Sequence, residues 1–491
     1  MGHPVATRPL RPLDLAALGV LLALLAGLHA AQRGAMVDDA FIVLRYAHQL
    51  LTGEGWVFNP GDRFNASTSP LNTLVVTLIG GALGDLELAA RISFAAAHAG
   101  TVAIAFALFR PRGVATASVA GLLVTLQPLL LRAVGLETAL LQLSALGSVA
   151  AHVRRRPRTT GVLLGLTCLC RADGALLALL LAAHHSWRRR RDGARRAALD
   201  LVPMAAAGAA VLVPWALYAS VAFDSLLPST LAAKQAQMAG GVWPAERGYA
   251  PGIALSFGVL DARGVGLQPW HWCTLLLGGA VVAVVRRRAH PGVALVAAWA
   301  AAQAVAYTAL GVPFYYWYYA PLHLALALGA ATCFDALWHA NAAPNRFMRT
   351  GATAAVLGLA WVVAPSPRPH PPHRYPHYHA AAAWLRQNAP AGSTVACAEI
   401  GVIGYRAPGL RVLDMFGLVS PAGVARVRCG DTAWWLEAAP DYIVLHAPPW
   451  QHFERPALAT PAFADRYQER PAGIPGARIF ARTAPAAPHD G

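Results

Sequence analysis

The feature that most constrains this chain is a recurring apolar run. Residues 13–31, 88–108, 199–221 and 317–338 each approach the ~20 apolar residues that a helix needs to cross a bilayer. A water-soluble domain has no use for so many. With 56% of its 491 residues hydrophobic and only 13% charged, the chain reads as an all-α polytopic membrane protein. Its formal charge of +16 does not point to nucleic acid, because the arginines gather in short clusters between the apolar runs, as expected of cytoplasmic loops. The partner that this pattern names is the lipid bilayer.

The first apolar run follows Arg8 and Arg11 and lacks a small-residue cleavage site, so it reads as a retained helix with a cytoplasmic N-terminus. Treating 70–84 as an interfacial segment gives a map in which each basic cluster falls inside: Arg110 with Arg112, then 154–158, 188–196, 286–288, and Arg346 with Arg349. The crossings are 13–31, 88–108, 114–131, 138–153, 161–170, 174–187, 199–221, 272–285, 293–310, 317–338 and 353–363, about eleven helices. An odd number leaves the C-terminus outside. Residues 1–366 then form the membrane domain, with extracytoplasmic loops at 32–69 and 223–269.

Beyond it, "PRPHPPHRYPHY" (367–378) is a Pro- and His-rich linker, whose prolines keep its histidines from sharing one helical face as metal ligands would. Residues 379–491 read as a small C-terminal α/β domain outside the membrane, with helices at "HAAAAWLRQNAP" and "DTAWWLEAAP" and a strand at "DYIVLHAP". Of six cysteines, Cys397 and Cys429 lie in this tail; they could pair there or stand as two separate thiols.

The stretch "MVDDAFIVLRYAHQLL" leaves the first crossing with two adjacent carboxylates, Asp38 and Asp39. One of them can cap the helix that follows from Ala40. The second is surplus, and an ionisable group at the bilayer surface is a functional candidate by default. Glu137, in "LLRAVGLETALL", lies on the same side as a candidate second acid, and two or three clustered acids could hold a divalent cation. Arg171 and Asp173, in "CLCRADGALL", read as a structural ion pair. Lys234 is the only lysine among 40 basic residues, a compact charge suited to a phosphate. The run "PFYYWYYAP", with Tyr315 and Tyr316, reads first as an interfacial aromatic belt and second as the lining of a sugar or lipid pocket.

The order of "DDAFIVLRYAHQLLTGEGWVFNPGDRF", "TSPL", "GLETAL", "RADG", "LLPSTLAAK", "PFYYWYYAP" and "AEIGVIGYRAPGLRVLDMFGLVSP" resembles a bacterial branch of the GT-C integral-membrane glycosyltransferases. That branch includes the mycobacterial terminal β-1,2-arabinofuranosyltransferase. The resemblance spans 37–426 and departs at "NASTSPLN", where Ser67 and Asn72 stand in place of aromatic residues. It implies a bacterial inner-membrane enzyme with its C-terminal domain periplasmic. It further implies a polyprenyl-phosphate sugar donor and a glycan, lipid or protein acceptor on the outer side, with inverting transfer in cell-envelope glycan assembly. On that reading Asp38 and Asp39 are the candidate base pair and Glu137 a helper. Lys234, with Arg45 or Arg132, would hold the donor phosphate, beside Tyr315 and Tyr316. No bound metal is required, because side-chain cations can carry the leaving phosphate. The rival readings are a transporter or flippase of a lipid-linked glycan, a glycan polymerase or ligase, and a silent scaffold. A transporter would be expected to place ionisable groups at the midplane and to show internal repeats, whereas the acids here concentrate at one face.

Overall fold

The computed structural model describes residues 11–31, 36–190, 193–258, 290–339 and 375–483, with part of 349–358. Among these, six helices are long and apolar enough to cross a membrane: Pro12–Ala31, Leu86–Arg112, Val114–Arg132, Val202–Phe223, Pro291–Ala309 and Tyr316–Trp338. Shorter helices at Thr138–Val153, Pro157–Cys170 and Gly174–Arg189 pack among them. Apart from 114–131, every expected crossing that falls on described residues coincides with a helix. The expected crossing at 272–285, most of 353–363, the arginines at 286–288 and Arg346, and most of the 367–378 linker lie outside the described residues.

The run at 114–131 is not one continuous helix. It is α-helical over Val114–Thr125 and restarts as Pro128–Arg132. Pro128 has no N–H to give the carbonyl of Val124, and its ring displaces the preceding backbone from helical geometry. That carbonyl accepts instead from His98 Nε2 at 2.8 Å.

Ion pairs sort the helix ends onto two faces. On one, Arg110 pairs with Asp14, and Arg112 with Asp335 at 2.7 Å. At the other end of the Leu86–Phe109 helix, about 36 Å away at 1.5 Å per residue, Glu87 pairs with Arg406 of the C-terminal domain. The Pro70–Leu83 helix therefore begins and ends on the C-terminal domain's face: its cap, Ser69, lines a cavity with Leu418 and Val419, and Glu87 follows its last turn.

The C-terminal body folds on a five-stranded sheet of order β2-β1-β3-β5-β4. Strands β1 (Thr394–Cys397), β2 (Arg411–Asp414) and β3 (Tyr442–His446) are parallel, and β5 (Ala477–Arg482) runs antiparallel to both β3 and β4 (Tyr467–Arg470). The expected helix at "DTAWWLEAAP" is only a 3-10 turn, Trp434–Leu436, because Trp435 is buried among the strand residues. Cys397 is buried and Cys429 exposed, and both are free thiols. The body docks through an apolar cluster in which Tyr46, Trp56 and Phe58 of the first loop meet Ile400, Ile403 and Leu410.

Candidate active site

The two aspartates open the Asp38–Leu51 helix, and neither caps it: the cap position is Val37, with no side-chain bond. Successive residues diverge by about 100° around a helix, so the pair faces two different surroundings. Asp38 turns into the C-terminal domain. Its Oδ2 accepts from the Gly401 amide and its Oδ1 from the Val402 amide, both at 2.8 Å. Gly401 is required there, because a Cβ would stand 1.9 Å from the Asp38 carbonyl oxygen. Glu399, two residues earlier, hydrogen-bonds the same carboxylate. Burial raises Asp38 to about 6, against the pull of the two amides. Burial, then the charges of Asp38 and Asp39, hold Glu399 well above the usual carboxylate range.

Asp39 faces the other way, into a cavity of about 390 Å³. Asp39, Ile42, Val43 and Tyr46 form one helical stripe along its wall. Across it stands Lys234, 6% exposed, on the Thr230–Ala239 helix. Its ammonium lies 4.4 Å from the Tyr315 ring centre and 4.7 Å from that of Tyr318, and donates to the Tyr318 hydroxyl. Among the described residues no carboxylate comes within ion-pair distance of it. Burial raises Asp39, Lys234 pulls it back, and Glu137 adds to the rise.

Glu137 and Arg171 complete the polar end. Arg171 Nη1 donates to Glu137 at 3.3 Å and its Nε to Asp173 at 3.1 Å, with the guanidinium 4.2 Å over the Tyr318 ring. Gln303 and the Tyr307 hydroxyl donate to Asp173 at 2.7 and 2.9 Å. The turn before Glu137 passes through Gly135 at φ +91°, where a Cβ would meet that of Ala40 at 2.9 Å. Much of the remaining wall is apolar, with Leu176, Leu227, Leu231, Leu310 and Trp317, while Ser67, Ser69 and Thr230 add hydroxyls. The C-terminal domain closes it with Leu418 and Val419, on a loop that Asp414 holds by accepting from the Phe416 and Val419 amides. Among the described residues no group of three His, Cys, Asp or Glu side chains is placed to hold a metal ion.

The structure thus brings together Asp39, Glu137, Lys234 and Tyr315. It corrects the expectation for Arg45, which is fully buried and donates to the carbonyls of Phe58, Gly404, Pro408 and Leu410. With its donors turned onto backbone oxygens, Arg45 braces the C-terminal domain and does not line the cavity. Arg132 is exposed and does not line the cavity, and Tyr316 donates to its carbonyl at 2.6 Å. The aromatic run is not a belt: Trp317, Tyr318 and Tyr319 are buried, two of them on the cavity. Sequence reasoning missed Arg171 as a cavity residue, because its partners Glu137 and Tyr307 are far from it in the chain. Ser67 lines the cavity, while Asn72 ties the Pro70–Leu83 helix to the Gly135 carbonyl at 3.2 Å.

The family described as "Domain of unknown function (DUF8728)" matches residues 372–484, which is the C-terminal body. No curated protein matches the chain in sequence. Among solved structures, ArnT from Cupriavidus metallidurans bound to undecaprenyl phosphate superposes with a TM-score of 0.60 at 15% identity, covering 97% of this chain and all 100% of that one. The oligosaccharyltransferase of Archaeoglobus fulgidus, tethered to an acceptor peptide, superposes at 0.55 and 13% identity over 96% of this chain and 74% of that one. The chain is an integral membrane protein by its helices and its fold. That fold is the one shared by the GT-C glycosyltransferases.

Proposed function

We propose that the chain is an inverting membrane glycosyltransferase that moves a sugar from a polyprenyl-phosphate donor to an extracytoplasmic acceptor in cell-envelope glycan assembly. The observation that carries this reading is a single cavity in which the Asp39 carboxylate faces a buried ammonium, Lys234, that has no carboxylate within ion-pair distance among the described residues. A buried cation held only by tyrosine rings and a hydroxyl is poised for an anionic ligand. The apolar walls suit an isoprenoid, and ArnT, of like fold, binds undecaprenyl phosphate.

In the proposed reaction Asp39 accepts the proton of an acceptor hydroxyl. The hydroxyl oxygen bonds to the anomeric carbon as the bond from that carbon to the phosphate oxygen breaks. The leaving polyprenyl phosphate takes the bonding pair, and Lys234 and Arg171 carry its charge. Glu137 and Asp173 position Arg171, and Tyr315 positions Lys234. On this reading the chain lies in the bacterial inner membrane, with the face bearing Arg110 and Arg112 cytoplasmic and the C-terminal domain periplasmic.

The test compares membranes holding wild type and Asp39→Asn at matched protein levels, supplied with labelled polyprenyl-phosphate sugars. Wild type should consume one donor, and the variant should lose ~10²–10⁴-fold of that rate. Equal consumption in both would overturn the reading. Movement of a lipid-linked glycan across the bilayer with no new bond would favour a transporter.

A further inference from the structure

A second concavity, of about 680 Å³, is lined by a different face of the Asp38–Leu51 helix, through His48 and Leu51. His48 is nine residues from Asp39, which places it about 180° around the helix axis from the catalytic cavity. The other walls are the turn from Gly80 to Glu87, Arg91, and Tyr405 with Arg406 of the C-terminal domain. Two arginines meet one carboxylate here, since Arg91 and Arg406 both pair with Glu87. Each uses one Nη2 for that contact, and the Nε of each is buried with no hydrogen-bond partner among the described residues. Asp85 adds a second carboxylate, which accepts from the Leu88 amide at 3.0 Å. The groove therefore presents two fixed cations beside two carboxylates.

Its rim is apolar and open. Leu51 in its lining is 48% exposed, and Leu83, Leu88 and Ile92, close in the chain to other lining residues, are 50, 42 and 44% exposed. A charged pocket beside exposed apolar side chains fits a ligand with a polar head and apolar chains. A phosphate alone would meet Glu87 and Asp85 as well as the guanidinium groups. A phosphoethanolamine head supplies both signs, phosphate for the guanidinium forks and ammonium for the carboxylates.

We propose that this groove binds the head group of a zwitterionic, ammonium-bearing phospholipid of the surrounding bilayer, at a site separate from the donor cavity. The proposal does not rest on the transferase reading. Native mass spectrometry tests it on the full chain, purified in detergent, stripped of lipid and then given dioleoyl phosphatidylethanolamine, phosphatidylglycerol or phosphatidylcholine singly. Phosphatidylethanolamine should be retained about tenfold (~1.4 kcal/mol) better than either of the others. The Arg91→Ala, Arg406→Ala double variant should lose most of that retention. Arg406→Lys keeps a cation for Glu87 but removes the planar fork, so it should give a smaller loss even if the double variant folds poorly. Equal retention of the three lipids, preference for phosphatidylglycerol, or retention unchanged in the double variant would overturn the proposal.

Discussion

In the proposed reaction Asp39 and Lys234 carry the chemistry at the scale of single residues. As a base Asp39 works deprotonated, and burial holds it above an ordinary carboxylate. The acid limb of a pH–rate profile should therefore lie above the usual carboxylate range, with turnover rising with pH through it and the limb absent from Asp39→Asn. Lys234→Ala should lower turnover by on the order of 10²–10³-fold, the loss typical of one preorganised charge-stabilising donor. Lys234→Arg should not restore it, because Tyr315 and Tyr318 enclose a compact ammonium and leave no plane for a fork. The sequence flagged both residues by their oddity, a doubled acid where acids are scarce and a lone lysine among arginines. It could not divide Asp38 from Asp39. That division depends on which way a helix is rotated, and the rotation is set by Gly401 and Val402, which the chain supplies much later.

The decisive contacts between elements join the Asp38–Leu51 helix to the C-terminal domain. Arg45 satisfies four backbone carbonyls at once. Arg45→Met should cost at least ~3 kcal/mol, since several buried acceptors lose their donor together. The Gly404 to Leu410 segment should then lose its hydrogen-exchange protection first. The acid pair behaves differently. Glu399 and Asp38 both titrate above their ordinary values when buried, so the docked state holds more protons than the undocked one. Docking is then strongest below the ordinary carboxylate range and weakens as pH rises through about 6 and beyond. Thermal melts from pH 5 to 8 should show the midpoint falling, and Glu399→Gln, which still donates to Asp38 but cannot titrate, should flatten the trend. Helix positions were legible in the sequence because hydropathy is a local property. Strands β4 and β5 were not, since "YQER" and "ARIFAR" carry arginine and glutamate into a sheet edge and lack an apolar alternation.

For the whole molecule, the ion pairs fix which loops share a side. Reporter fusions after Gly113 and after Thr483 should therefore report opposite compartments, and matching signals would break the two-faced arrangement. The map drawn from the arginine clusters leaves 70–84 out of the crossings, and the Glu87–Arg406 pair sets the end of that segment against the C-terminal domain. The Asp38 clamp also bears on biogenesis. Asp38 and Gly401 are 363 residues apart. At ~5–20 residues per second of synthesis, the Asp38 carboxylate emerges on the order of 20–70 s before the amides that bind it. The cavity therefore gains the wall made by Leu418 and Val419 only after the membrane-spanning region that precedes it has been made.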